Sequence, residues 1–144
     1  MDQPCPIPYS FVAHSSRAAY ETTLFTFTIK TVHELPPGSF VRVSWPTEIE
    51  VDEEADFQCT ISTRLEGLSR TCRPLTSYVL LQDINDDYIS SGTTIQIGIF
   101  GLKNSKFAQQ TSSFTVTTML DRYTEVDQAS EGLVVENTCD WPCK

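Results

Sequence analysis

The sequence predicts an all-β, antiparallel β-sandwich of roughly seven to nine strands, stapled by a disulfide. Three observations lead there. Bulky apolar side chains recur at every second position, as in Phe25, Phe27 and Ile29 separated by Thr26 and Thr28. A period of two belongs to a strand with one buried face. These runs are short, and Pro, Gly, Asn and Asp turn signals separate them about every ten residues. Finally, the chain carries five cysteines, two of which (Cys59 and Cys72) lie inside β-type runs.

The elements follow in order. Residues 22–32 alternate, with Phe25, Phe27 and Ile29 on one face and Thr26, Thr28 and Lys30 on the other. Leu35-Pro36-Pro37-Gly38 breaks that strand, because proline fixes φ and glycine permits positive φ. In 40–45, Val41, Val43 and Trp45 turn inward and Arg42 and Ser44 outward; Pro46 ends the run. Phe57, Cys59 and Ile61 alternate with Gln58 and Thr60. A loop over 64–69 leads to a short run around Cys72, stopped by Pro74. Further strands are expected over 78–82, at Ile95, Ile97 and Ile99, at Phe114 and Val116, and over 133–135. No segment sustains apolar spacing of three and four, so helix is expected only as one short turn, near 121–129 or in 64–69.

Composition narrows the function. A chain of 144 residues with 40% hydrophobic and 20% charged residues is an ordinary single globular domain. At this size it buries roughly two-thirds of its unfolded surface and needs no metal to build a core. The net charge is −9 and the ten basic residues are scattered. Nucleic acid is therefore not an expected partner, since phosphate binding needs a basic face. No apolar run approaches the ~20 residues of a membrane span, so no membrane insertion is expected. Met1-Asp2-Gln3-Pro4-Cys5 lacks a basic region followed by an apolar stretch, so no signal peptide is expected here: either one was removed or the chain is one module of a longer protein, and the module is the favoured reading. The expected division is an N-terminal arm over 1–9, the sandwich over 10–136 and a Cys-containing linker over 137–144.

The cysteines suggest an oxidising compartment. Cys59 and Cys72 are the expected pair; closing such a loop contributes about 3 kcal/mol by the chain-entropy model. The alternative is two buried thiols acting as small hydrophobes. Cys5 is expected to reach Cys139 or Cys143. The odd thiol left over then points to an intermolecular bond or a truncated module. Cys139-x-x-x-Cys143 does not have the spacing of a CxxC motif.

Candidate chemistry is sparse. Asp83, Asn85, Asp86 and Asp87 place hard oxygen ligands close together, which suits Ca²⁺. Their run resembles the D-x-N-D-N calcium motif of cadherin repeats, although Tyr88 rather than proline follows it. The alternative is a solvated turn, which Asp and Asn favour for local reasons. A second acidic stretch, with Glu48, Glu50, Asp52, Glu53, Glu54 and Asp56, reads as a charged loop protecting a sheet edge. His14 and His33 read as surface residues. No G-x-S-x-G elbow, P-loop or dinucleotide fingerprint is present, so no enzyme is expected. Asn137-Thr138-Cys139 is the sole sequon of the Asn-x-Cys form. Tyr20, Tyr88, Tyr123 and Trp141 fall outside the strand pattern and are candidates for sugar stacking; Trp141 is otherwise expected to cover an open end of the sandwich.

Residues 92–104 (Gly-Thr-Thr-Ile-Gln-Ile-Gly-Ile-Phe-Gly-Leu-Lys-Asn) followed by Ser112-Ser113-Phe114-Thr115-Val116-Thr117-Thr118 resemble the immunoglobulin-like modules of large cell-surface proteins, notably of ciliates and other protists. Phe25-Thr26-Phe27-Thr28-Ile29 and Leu35-Pro36-Pro37-Gly38-Ser39-Phe40-Val41-Arg42-Val43 match their early hairpin. Cys139-Asp140-Trp141-Pro142-Cys143 is similar to the opening of a cysteine-rich growth-factor-receptor-like repeat. The resemblance implies an immunoglobulin-like sandwich serving as spacer or adhesive unit in a surface array, without catalysis. The expected function is a non-enzymatic structural module of an extracellular coat, appendage or filament, acting through edge strands and termini on copies of itself or neighbouring modules. The alternative is a carbohydrate- or protein-binding module assisted by Ca²⁺.

Overall fold

A computed structural model describes residues 4–15, 20–62, 67–70, 72, 74–82, 84–105 and 110–135. Among them are eleven strands and no helix: β1 (Cys5–Pro6), β2 (Ser10–His14), β3 (Thr22–Lys30), β4 (Phe40–Ser44), β5 (Glu50–Val51), β6 (Gln58–Ser62), β7 (Gly67–Arg70), β8 (Tyr78–Leu81), β9 (Thr94–Lys103), β10 (Thr115–Met119) and β11 (Glu125–Ala129).

They form two sheets. One has the order β1-β11-β10-β4-β8; the other has β2-β3-β9-β6-β7. All pairings are antiparallel except that of β1 with β11. Strand β3 pairs with β9 along its whole length. β5 and β6 therefore share the other edge of β9, with Val51 opposite Leu102 and Gln58 opposite Phe100.

The alternation in sequence becomes a dry interior. Phe25, Phe27 and Ile29 of β3 and Ile95, Ile97 and Ile99 of β9 are fully buried, as are Val41 and Val43 of β4 and Val116 of β10. Each such side chain contributes roughly 1.5–3 kcal/mol by leaving water. Phe114, just before β10, pins the layers together, its ring centroid 5.4 Å from Phe25 and 5.2 Å from Phe27. One irregularity is built in. The β3–β9 register shifts between Thr23 and Leu24, opposite Gly101. Gly101 has φ of +124°, and a Cβ there would lie 2.6 Å from Cδ2 and 3.2 Å from Cα of Phe57. Only glycine fits this bulge.

The structure differs from expectation at several places. The helical turn expected in 121–129 is instead a tight turn and a strand. The Asp121 carboxylate accepts the N–H groups of Tyr123 and Thr124, which forces the reversal, and β11 follows against β10. The other helical candidate, 64–69, overlaps β7, which pairs with β6. Strands β1, β2 and β5 were not expected; they are short or lack bulky alternation. Cys5 and Pro6, placed in an arm by the sequence, lie beside β11, and Ile7 is buried with its N–H on the Gln128 carbonyl at 3.0 Å. Residues 133–135 are not a strand. Leu133 and Val135 are nevertheless buried, and their carbonyls accept the N–H groups of Phe114 and Thr111.

Candidate functional site

Two features stand out from the two sheets. The first is a cluster of chemistry-bearing side chains. Parallel pairing of β1 with β11 sets Cys5 opposite Asp127. Asp127 is fully buried, and burying a carboxylate is costly unless donors surround it. Its Oδ2 accepts the N–H groups of His33 at 2.9 Å and Val32 at 3.2 Å. Its Oδ1 lies 2.7 Å from His33 Nδ1. The carboxylate thereby ties the loop after β3 to β11. Cys5 is a half-buried free thiol, and its sulfur, a His33 ring nitrogen and an Asp127 oxygen lie within 4.8 Å of one another.

The second feature is the side of β8 away from β4, which no other described strand pairs. The Trp45 N–H donates to the Ser77 carbonyl at 3.0 Å, and the register continues with Val43 opposite Val79 and Val41 opposite Leu81. Hydrogen-bonded and non-bonded pairs alternate in an antiparallel ladder. Tyr78 and Leu80 therefore turn their backbone groups away from β4. The Leu75 N–H takes the Tyr78 carbonyl at 2.7 Å. The Tyr78 N–H and both Leu80 groups remain outward, and no described strand pairs with them. The strand Tyr78-Val79-Leu80-Leu81 carries no charge, proline or glycine, and Ser77 and Gln82 flank it.

The sequence-derived candidates fare as follows. Cys59 and Cys72 form a disulfide, with Cα atoms 5.9 Å apart. Cys139, Cys143 and Trp141 lie outside the described residues, as does Asp83. Asn85 is committed to the fold. Its Oδ1 accepts the Ser39 N–H, and its Nδ2 donates to the carbonyls of Asp87 at 2.8 Å, Pro36 at 2.9 Å and Leu35 at 3.3 Å. It locks the Pro36-Pro37-Gly38 turn in place, and its side-chain oxygen faces the Ser39 N–H. Asp86 and Asp87 are exposed. Among the described residues, Cys5, His33 and Asp127 are the sole group of three or more His, Cys, Asp or Glu ligands gathered this closely.

The acidic stretch does structural work at both ends. Glu48 Oε2 accepts the Ser112 N–H and hydroxyl, each at 3.0 Å. Its carboxyl is held below 4.5 by its own backbone N–H and then by that of Ser112. Asp52 is held below 3.8 by the Thr22 hydroxyl and then by the Glu54 N–H. His14 is not a bare surface residue: its Nδ1 is 3.0 Å from Asn104 Oδ1 and its ring stacks on Phe25. Tyr20 lies under Lys103, whose Nζ is 4.2 Å from the ring centroid. Tyr88 and Tyr123 are exposed, the latter at 90%.

Sequence reasoning missed the roles of His33 and Asp127. They are 94 residues apart, and only the position of β11, between β1 and β10, joins them. The one available signal was an acidic residue at an inward position of a β-type run, and the expected helical turn hid it.

No protein-family model and no curated protein matches the chain. Among solved structures, it is similar to one described as "AvmM Catalyzes Macrocyclization in Alchivemycin A Biosynthesis", with 8% identity and a TM-score of 0.45, covering 90% of this chain and 89% of that one. It is also similar to a family GH18 chitinase from Chromobacterium violaceum, with 10% identity and a TM-score of 0.40, covering 88% of this chain and 19% of that one. At these values neither likeness bears on function.

Proposed function

We propose that this chain is a non-enzymatic, extracellular structural module of immunoglobulin-like type that joins to further copies of itself through the open edge of β8. The topology supports the immunoglobulin-like reading. Across one sheet, β2-β3-β9-β6 run in the same order as strands A-B-E-D of an immunoglobulin sandwich, and across the other β11-β10-β4 run in the order G-F-C, when strands are lettered by chain order. Strands β1, β5, β7 and β8 are additions to that plan. Phe25 and Phe27 on the B strand meet Phe114 ahead of the F strand, where antibody domains place an inter-sheet disulfide. Trp45, buried at the end of the C strand, packs against Phe57, with centroids 6.3 Å apart. The Cys59–Cys72 disulfide supports an oxidising location.

The observation that carries the functional reading is the uncharged β8 edge with its outward backbone groups. Soluble domains normally protect such an edge with lysine, proline, a bulge or a covering loop. In a chain of net charge −9, four consecutive apolar residues at an open edge suit strand addition. The strand is short, so a single edge-to-edge contact is weak and pairs two copies.

Sedimentation velocity over a concentration series tests this with Leu80→Pro. The Leu80 N–H is not used against β4, so proline there removes only the outward donor. The wild-type chain is expected to sediment faster as concentration rises, and Leu80→Pro to remain a monomer with nearly unchanged melting. A wild-type monomer up to about millimolar concentration, or equal association of both proteins, would refute the proposal.

A further inference from the structure

We propose that Cys5, His33 and Asp127 form a binding site for a divalent metal ion of the zinc class. The site is independent of the β8 edge. It rests on three observations. The parallel β1–β11 pairing and the loop after β3 bring a thiol, an imidazole and a carboxylate together, with ligand atoms within 4.8 Å of one another. A tetrahedral zinc ion with arms of 2.0–2.3 Å places its ligand atoms about 3.3–3.8 Å apart, so small side-chain adjustments close the site.

Asp127 is fully buried, and its Oδ2 is anchored by two backbone N–H groups. That anchoring holds the carboxylate rigid and directs Oδ1 toward His33. The His33 side chain is 53% exposed, which gives an ion a way in and lets the ring adjust.

The donor set selects the ion. Sulfur and imidazole nitrogen favour zinc and its neighbours over Ca²⁺ and Mg²⁺, which prefer oxygen alone. On binding, the Cys5 thiol gives its proton to solvent and the sulfur–metal bond forms. A thiolate and a carboxylate then balance the two positive charges of the ion, which relieves the buried negative charge at Asp127. Three protein ligands leave a fourth position for water, as in open zinc sites. Bound metal also staples the chain's front strand to β11 and to the loop after β3, so it stabilises the folded state.

The test uses the full-length chain carrying Cys139→Ser and Cys143→Ser, so that Cys5 is the sole thiol outside the Cys59–Cys72 disulfide. Co²⁺ alone is the spectroscopic probe and Zn²⁺ the competitor. The expected result is one equivalent of Co²⁺ giving a near-ultraviolet thiolate charge-transfer band and visible ligand-field bands, both abolished by Zn²⁺. Cys5→Ser should remove the thiolate band. His33→Gln, which keeps the backbone N–H on Asp127 Oδ2 and a side-chain amide that can still donate, should weaken Zn²⁺ binding at least about tenfold. Zn²⁺ should raise the melting temperature of the parent and not of Cys5→Ser. Absence of the thiolate band, a band that survives Cys5→Ser, or unchanged Zn²⁺ affinity in His33→Gln would overturn the proposal.

Discussion

Phe114 offers the sharpest test of how the two sheets are joined. It is fully buried, and its ring meets both Phe25 and Phe27 of the opposite sheet. Phe114→Ala removes a core aromatic and leaves a cavity between layers that the strands on either side cannot easily collapse. Core Phe→Ala changes cost about 3–5 kcal/mol, and each lost ring pair accounts for about 0.5–1.5 kcal/mol. We expect a loss of about 4 kcal/mol, a large share of a typical domain stability of about 5–15 kcal/mol. Urea unfolding followed by tryptophan fluorescence reads this directly, since Trp45 is buried. With a slope near 2 kcal/mol/M, the midpoint should fall by about 2 M with the slope unchanged. Phe114→Leu, which keeps most of the volume, should cost about 1–1.5 kcal/mol and guards against a variant that fails to fold. A Phe114→Ala loss under about 1.5 kcal/mol would mean the ring is not the pin between the sheets.

Four further outcomes are expected. Gly101→Ala should cost about 2–3 kcal/mol in chemical denaturation, because positive φ and the Phe57 backbone both oppose a Cβ. Gly92→Ala, at φ of +83° with open space around it, should cost only about 1 kcal/mol of backbone strain. Asn85→Ala strips the hydrogen bonds that hold the 36–38 turn and should cost about 2–4 kcal/mol in a thermal melt. The Glu48 and Asp52 carboxyls are depressed in the folded state, so the stability they contribute is present above their unfolded values and lost as pH falls through the folded ones. Melting should therefore be flat above about pH 5 and decline below about 4.5, and Asp52→Asn should lessen the decline.

The core was legible in the sequence because burial on one face leaves a period of two. Phe25, Phe27, Ile29, Val41, Val43, Ile95, Ile97 and Ile99 all point inward as the alternation required. The Cys59–Cys72 bond was legible from two β-type runs joined by a turn, although the second strand is β7 and Cys72 follows it instead of lying within it. The edge elements were not legible. Strands β1 and β5 have two residues each and take their conformation from partners far along the chain. In 121–129, polar residues read as a helical turn, whereas the Asp121 side chain fixes a tight reversal that no apolar pattern marks. Asn85 is the opposite case. Its amide type suggested a cation ligand, but backbone groups 46–50 residues away engage it. The Cys5–His33–Asp127 grouping depends on which strand lies beside β11, a fact of topology and not of local sequence.

Amide hydrogen exchange at Tyr78 and Leu80 tests the proposed attachment most directly. Their N–H groups face away from β4, so in dilute protein they should exchange far faster than the Val79 and Leu81 amides within the ladder. As concentration rises they should slow together, while Val79 and Leu81 stay unchanged. Protection at Tyr78 and Leu80 that does not vary with concentration would contradict strand addition at this edge.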